Sequence, residues 1–267
     1  MGNDFTDPRR PVAILSIGDM GAGIARLLIA KGIRVVTDLT GRGPDTISRA
    51  QSAGVESLPL AEIVTSASAI LSIVPPTSAR PTAESVLSAL AAHPRPQSLE
   101  PLTYVDLNAI SPSAARGLAV LFTTDSSVRF VDGAIIGGPP SPSGDGWSLP
   151  EIPLSGPHTL PEFLSTILGG GGGGSAVDQQ HISPEIGAAS GLKMCFASLT
   201  KGYTAIAVQA FSTAHRMGVL GRLRESIERT TPGVGARLER SVTGMPPKAY
   251  RWVREMEEIG ETFRDEG

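Results

Sequence analysis

The stretch VAILSIGDMGAGIARLLIAKG, residues 12–32, decides how the rest of the chain folds. It opens with a short apolar run, which is typical of a buried strand. Two glycines follow, and then apolar residues at helical spacing. A second apolar run occupies residues 33–36. The order strand, glycine turn, helix, strand predicts one βαβ unit, the context in which a glycine fingerprint indicates a nucleotide site.

The glycine turn reads S-x-G-x-x-G, because Ser16 stands where the fingerprint has its first glycine. Gly18 would let phosphates approach the backbone, and Gly21 would let the helix pack closely on the strand. The amides and the dipole at the start of a helix attract negative charge. We therefore predict a dinucleotide site, with a tight turn that binds no ligand as the alternative. The predicted contacts in this turn are Ser16, Ile17, Gly18, Asp19, Met20 and Gly21.

The choice of cofactor is predicted at the end of the second strand. Asp38 lies about 20 residues after the glycines, where an acid can bind the ribose 2′-hydroxyl of NAD. Arg42 follows, with Thr40, in a glycine-flanked loop. A guanidinium there can bind the 2′-phosphate of NADP through two hydrogen bonds. We expect NADP as the cofactor, and NAD is the alternative.

Composition excludes several classes of function. The 267 residues are 40% hydrophobic and 18% charged, with a net charge of −3, so no basic surface for nucleic acid is expected. No apolar run approaches the ~20 residues of a membrane helix. The single cysteine, Cys195, excludes an internal disulfide and a cysteine metal cluster. We expect a cytoplasmic protein that holds no metal and acts on a small molecule.

The rest of the chain divides into two parts. Apolar runs that predict further strands lie at residues 69–74, 104–107, 130–132 and 152–154. They alternate with helical segments, which predicts a doubly wound, mostly parallel α/β sheet. Six glycines at residues 169–174 predict a mobile loop. Helices are predicted after it, over residues 186–218, 219–229, 235–243 and 248–263. We predict a Rossmann domain over residues 1–180 and an all-α domain over residues 181–267.

Several motifs occur in a fixed order along nearly the whole chain. They are the glycine turn with Met20, the Val-Pro-Pro at 74–76, an Asp-Gly-Ala loop before the double glycine at 137–138, and Lys193 in a helix start rich in small residues. Together they resemble the β-hydroxyacid dehydrogenase superfamily, the relatives of 6-phosphogluconate dehydrogenase and 3-hydroxyisobutyrate dehydrogenase. Residues 187–195 and 248–263 resemble a branch whose C-terminal domain has no assigned function.

The resemblance implies hydride transfer between a nicotinamide and a carbon bearing oxygen or nitrogen, in a homodimer joined through the helical domain. It implies that Lys193 is the general acid/base. It implies that the nicotinamide is enclosed by Val74, Pro75, Pro76, Asn108 and Ala109. It implies a substrate site formed by Asp132, Ile135, Ile136, Gly137, Gly138 and Ala197.

The position of Lys193 supports its role independently of the resemblance. It lies near the start of an otherwise apolar helix, between Leu192 and Met194. The helix dipole and desolvation both disfavour the charged amine there, which suits a group that exchanges a proton. The alternative is an interface lysine whose stem packs on apolar surface while its amine reaches water.

Two substitutions distinguish this chain from well-studied members of the superfamily. Ile136 stands where they have a serine that grips a carboxylate, and Ala197 stands where they have an asparagine. Both changes leave apolar walls, so we expect a bulkier or less polar carbonyl or imine substrate. The loop at 132–135 also resembles that of imine reductases. The alternatives are a degenerate protein that binds NADP(H) without chemistry, and a structural partner subunit.

Overall fold

The computed structural model describes residues 10–169 and 180–267, which form two compact units. The first unit ends at Lys193 and the second begins at Met194. The predicted functional domains, residues 1–180 and 181–267, stay a prediction. Residues 170–174 of the predicted mobile loop lie outside the described residues.

An eight-stranded sheet forms the centre of the first unit. Its strands are β1 Val12–Leu15, β2 Val35–Thr37, β3 Glu56–Ser57, β4 Ala69–Ser72, β5 Leu102–Asp106, β6 Val128–Gly133, β9 Leu154–Ser155 and β10 His181–Ser183. Their spatial order is β10-β9-β6-β5-β4-β1-β2-β3, which contains the 3-2-1-4-5-6 order of dinucleotide-binding folds. Every neighbouring pair is parallel except β6 and β9. The predicted doubly wound, mostly parallel sheet is confirmed.

Helices cover both faces of this sheet. They are α1 Asp19–Ala30, α2 Pro44–Ser52, α3 Leu60–Ser66, α4 Pro76–Ala92, α5 Pro112–Phe122 and α6 Glu162–Leu168. Apolar side chains of α1, α2 and α6 pack on one face, and those of α3, α4 and α5 pack on the other. Each strand of the sheet centre is therefore buried on both sides, which explains why β1 and β4 are continuous apolar runs.

The second unit is helical. The long helix α7, Ala188–Arg216, begins in the first unit and continues into the second. It is followed by α8 Leu220–Thr230, α9 Val234–Thr243, a 3₁₀ turn at Pro246–Lys248 and α10 Ala249–Glu266. The predicted helical C-terminal region is confirmed. None of the helices in the described part of the chain is long and apolar enough to span a membrane.

The sequence did not predict four of the short strands. These are β3, β10 and the two strands of a separate hairpin, β7 Ser141–Ser143 and β8 Gly146–Ser148. Their residues are mostly exposed and polar, so no apolar pattern marks them. These strands form because a neighbouring strand provides partners for their backbone hydrogen bonds. Such pairing depends on the assembled sheet and not on the local sequence.

Candidate functional site

The glycine turn joins β1 to α1 through Ser16, whose backbone has the left-handed conformation. Ser16 has φ +71°, and among the described residues it is the one non-glycine with a positive φ. A side chain in this conformation is disfavoured by about 1–2 kcal/mol, which is why the fingerprint has glycine at this position. The turn therefore has the left-handed conformation that the fingerprint requires, although its first residue is serine.

The two glycines of the turn have different surroundings. A Cβ on Gly21 would lie 2.5 Å from the carbonyl oxygen of Ser16 and 3.3 Å from Cγ2 of Ile14, so only glycine fits between α1 and β1. A Cβ on Gly18 would meet no atom within 4 Å. Gly18 is the N-cap of α1, and no side chain of the described residues caps this helix. The turn thus offers open space in front of uncapped amides, which fits a diphosphate.

Gly18→Ala should weaken NADPH binding roughly 10- to 100-fold, because the added methyl group occupies the space that the phosphates need. The fold should be unaffected, since Gly18 has an ordinary φ of −77° and open space at its Cβ. Calorimetric titration with NADPH measures the affinity. Gly117→Ala, on α5 with equally open space, is the matched control. Unchanged affinity in Gly18→Ala would place the diphosphate elsewhere.

The loop after β2 separates the two candidate ribose-binding residues. The carboxylate of Asp38 accepts hydrogen bonds from the amides of Thr40, at 2.8 Å, and Leu60, at 3.1 Å, so it joins the loop to the start of α3. The Arg42 side chain is exposed. Within residues 10–169 and 180–267, Arg42 makes no ion pair or side-chain hydrogen bond. The Asp38 carboxylate is therefore used in hydrogen bonds within the protein, whereas the Arg42 guanidinium is accessible to a ligand.

A further cation reaches the glycine turn from α2. Nη1 of Arg49 donates to the carbonyl of Ile17 at 2.9 Å, and its Nε lies 3.7 Å from the carboxylate of Asp19. This arginine braces the turn and places positive charge beside the start of α1. Sequence reasoning missed it. The available signal was its position on α2, the helix that follows the cofactor loop.

The predicted nicotinamide-binding residues follow β4 and β5. Asn108 is buried, and its side chain joins the two strand ends: Oδ1 accepts from the amide of Val74 at 2.7 Å, and Nδ2 donates to Ser72 Oγ at 3.1 Å and to Asp106. Pro75 is exposed beside it. Asn108 therefore shapes this wall of the site through Val74. The remaining predicted residues are also half-buried: Pro76 is the first residue of α4, and Ala109 follows Asn108.

Asp106 is a buried carboxyl group at the end of β5. Burial raises the pKa of Asp106 to about 7, and the charge of Asp132 on the neighbouring strand adds to this effect. The hydrogen bond from Asn108 acts in the opposite direction. Oδ2 of Asp106 has no hydrogen-bond partner among the described residues. The group is thus half-protonated near neutral pH.

Protein stability should fall between pH 5 and pH 8 because of Asp106. The folded state holds a proton that the unfolded chain, with a carboxyl pKa of about 3.9, has released in this range, so raising the pH favours unfolding by roughly 2–3 kcal/mol. Urea unfolding of wild type and Asp106→Asn at both pH values isolates this contribution. The variant should lose less stability than wild type as the pH rises. Parallel pH profiles would contradict a raised pKa.

Asp132, at the end of β6, has a fully buried carboxylate. It accepts hydrogen bonds from Ser155 Oγ at 2.7 Å, Ser190 Oγ at 2.6 Å, and the amides of Gly187 at 2.8 Å and Ser190 at 3.4 Å. Ser155 in turn accepts from the amide of Ala189 at 3.0 Å. Together they satisfy the first amides of α7. Both oxygens of Asp132 are thus used inside the fold, and the side chain positions α7 in this structure.

Lys193 lies on the second turn of α7, soon after these anchoring contacts. Its Nζ donates to the carbonyl oxygen of Ile135 at 2.7 Å, and the side chain is half-buried. The loop that it meets leaves β6 at the carboxyl edge of the sheet, the edge from which the glycine turn also leaves β1. The sequence-predicted amine and the predicted substrate loop are therefore in contact.

The other predicted substrate residues have apolar or backbone roles. Ile135 and Ile136 are buried, and Ile136 pairs with Glu151 through two backbone hydrogen bonds of 2.8 and 3.0 Å. Gly137 has φ +130°, and the exposed Gly138 follows it. Ala197 is buried and belongs to the second unit. Their contacts with a substrate stay a prediction.

No group of three or more His, Cys, Asp or Glu in the described part of the chain is arranged to hold a metal.

Two family models match the sequence. The one described as NADP oxidoreductase, coenzyme F420-dependent, covers residues 11–94. DUF1932, a domain of unknown function, covers residues 214–267. A solved structure of a conserved protein of unknown function, described as structurally similar to 3-hydroxyacid dehydrogenases, is 27% identical with a TM-score of 0.67, covering 96% of this chain and 90% of that one. The predicted resemblance to the β-hydroxyacid dehydrogenases is confirmed.

Two further solved structures share this β-hydroxyacid dehydrogenase fold. 3-Hydroxyisobutyrate dehydrogenase from Salmonella typhimurium is 20% identical, with a TM-score of 0.66 and coverage of 96% of this chain and 87% of that one. An imine reductase from Myxococcus stipitatus, in complex with NADP⁺, is 17% identical, with a TM-score of 0.62 and coverage of 88% and 78%. A comparison of the sequence with curated proteins found no match.

Proposed function

We propose that this protein is an NADP(H)-dependent oxidoreductase that reduces a carbonyl or imine carbon, or oxidises the corresponding alcohol or amine, with Lys193 as the general acid/base. The observation that carries the proposal is the hydrogen bond of 2.7 Å between Lys193 Nζ and the Ile135 carbonyl. It holds an amine beside the strand ends where a dinucleotide on the glycine turn would present its nicotinamide.

The cofactor would be held by the open glycine turn and by Arg42. The amides at the start of α1 would bind the diphosphate, with Arg49 bracing them through Ile17. The exposed guanidinium of Arg42 would bind the 2′-phosphate, which favours NADP over NAD. When bound, the nicotinamide supplies or accepts the hydride. NADP⁺ is bound in the imine reductase that shares this fold.

The protein would supply the proton and the shape of the pocket. During reduction, Lys193 Nζ donates a proton to the substrate oxygen or nitrogen on which negative charge develops. Asp132 acts through α7, because its four hydrogen bonds fix the helix start from which Lys193 projects. The buried side chains of Ile135 and Ile136 offer no partner to a carboxylate, which supports a less polar carbonyl or imine substrate.

Arg42→Ala should weaken NADPH binding roughly 10- to 100-fold, because a charge-assisted contact with the 2′-phosphate is lost. Its affinity for NADH, which lacks this phosphate, should change little. Fluorescence titration of both nucleotides measures the two effects. Arg26→Ala, an exposed arginine on α1, is the matched control. Equal weakening of both nucleotides, or tighter binding of NADH by wild type, would contradict the assignment of Arg42.

Turnover separates the proposed enzyme from a protein that only binds the cofactor. NADPH oxidation should be measured against ketones, aldehydes and imines, and NADP⁺ reduction against hydroxy acids and alcohols. Tight NADPH binding with no turnover on any compound would favour the binding protein. Failure to bind either nucleotide would favour a structural subunit.

We also propose that the protein is cytoplasmic, because a single cysteine suits a reducing compartment.

We also propose that the protein is a homodimer joined through its helical unit. Large apolar side chains are exposed there, among them Leu199 and Ile206 on α7 and Val253 and Phe263 on α10. An apolar groove of about 410 Å³ lies between α7 and α8, lined among others by Ile206, Met217 and Leu223. Such surface is commonly covered by a partner. Sedimentation equilibrium that gives a monomer mass would overturn this part of the proposal.

A further inference from the structure

The second unit contains a pocket of about 340 Å³ between α7, α9 and α10. Three basic side chains line it: Lys201 from α7, and Arg237 and Arg240 from α9. Two aromatic residues, Tyr203 and Trp252, also line it, and no acidic residue is among the lining side chains. Nothing in the nucleotide site or in the proposed reaction makes use of this pocket.

Lys201 is the buried member of the basic group. It is 9% exposed, forms an ion pair of 2.8 Å with Glu255, and its Nζ lies 5.7 Å from the centre of the Trp252 ring. Burial of an amine is costly unless it is paired, and Glu255 satisfies that need. The charge of Lys201 is therefore balanced by Glu255, which is not among the residues that line the pocket.

The two arginines carry charge that no acid balances. Arg237 and Arg240 lie one helical turn apart and are exposed. Neither forms an ion pair with any residue of the described part of the chain. The acid between them in sequence, Glu239, is paired with Arg224 at 2.8 Å. The guanidinium of Arg237 lies 5.5 Å from the centre of the Tyr203 ring, which orients it at the pocket. The pocket therefore has an excess of two positive charges.

We propose that this pocket binds a small molecule that carries a phosphate group. Two guanidinium groups suit the oxygens of a phosphate, to which each can donate two parallel hydrogen bonds. A phosphate monoester carries close to two negative charges at neutral pH, which matches the excess on Arg237 and Arg240. Tyr203 and Trp252 offer flat apolar surface for the organic part of the ligand.

The test uses the intrinsic fluorescence of Trp252. The chain has two tryptophans, and Trp147→Phe in the full-length protein leaves Trp252 as the single reporter. Phenyl phosphate, inorganic phosphate and benzoate are titrated in turn. Phenyl phosphate should change the emission saturably and bind at least tenfold more tightly than benzoate, which has the same ring and one negative charge. Inorganic phosphate should compete with it.

A double variant localises the site. Arg237→Gln with Arg240→Gln should weaken phenyl phosphate binding at least tenfold, and the exposed positions of both arginines should leave the fold intact. Arg222→Gln with Arg229→Gln, two exposed arginines of α8, is the matched control and should bind as wild type. The proposal is overturned by a flat titration, by equal affinity for benzoate, or by unchanged affinity in the Arg237 and Arg240 variant.

Discussion

Lys193→Met should lower turnover by about two to four orders of magnitude on whichever carbonyl or imine the wild type reduces, because the proton donor is lost. Methionine keeps the length and apolar stem of the lysine, so the second turn of α7 should pack as before. The affinity for NADPH should change less than about threefold, since the contacts proposed for the diphosphate and 2′-phosphate lie elsewhere. Single-turnover kinetics under saturating NADPH measures the chemical step.

The matched control for this variant is Lys31→Met, at the exposed C-cap of α1. It removes the same charge from the same unit and should retain full activity. A Lys193→Met protein that turns over substrate like the control would remove Lys193 from the mechanism. Loss of NADPH affinity equal to the loss of turnover would instead indicate that the lysine helps to hold the cofactor.

Asp132→Ala should lower the free energy of unfolding by roughly 3 kcal/mol or more, because the buried carboxylate accepts four hydrogen bonds, three of them from residues at the start of α7, and each donor is left without its acceptor. The helix dipole adds to the loss. Part of the loss is offset, since Asp106 no longer faces a second carboxyl group. Urea unfolding measures the total, and hydrogen exchange at Gly187 and Ser190 reports the local opening.

Asp145→Ala serves as the control for Asp132→Ala. Asp145 is exposed in the turn of the β7–β8 hairpin, and its removal should change stability by less than about 0.5 kcal/mol. If Asp132→Ala were as stable as this control, the carboxylate would not anchor α7. Turnover would then identify Asp132 as a substrate residue, the role that the resemblance implies for it.

The sequence was most informative where a local pattern has one physical solution. A glycine turn between an apolar strand and an amphipathic helix can be made in few ways, so the βαβ unit and the placement of Gly18 and Gly21 followed from residues 12–36. The long helix of the second unit also followed from composition, because residues 186–218 are rich in helix-forming residues, and the last helix followed from its apolar stripe at Trp252, Met256, Ile259 and Phe263. Strands without such a pattern, such as β3 and β10, were not predictable.

Side-chain roles that depend on partners distant in the chain could not be predicted from the sequence. Asp132 has the residue type of a substrate ligand, but its carboxylate is used by Ser155 and by the start of α7. Asn108 likewise ties Val74 to the neighbouring strand end. Arg49 reaches Ile17 from another helix, 32 residues away. No local rule indicates which polar group will meet a buried partner once the sheet has formed.

The role of Lys193 was implied by the family resemblance and stays a prediction. The sequence by itself determined the dinucleotide-binding fold and the edge of the sheet where a cofactor would lie. These follow from periodicity, glycine geometry and the order of strands and helices, all of which act over short stretches of chain. Only the tertiary structure decided which of the predicted polar residues are free to act. Burial and long-range hydrogen bonds assigned Asp132 and Asn108 to holding the site in place, because a buried polar group must first satisfy its own hydrogen bonds.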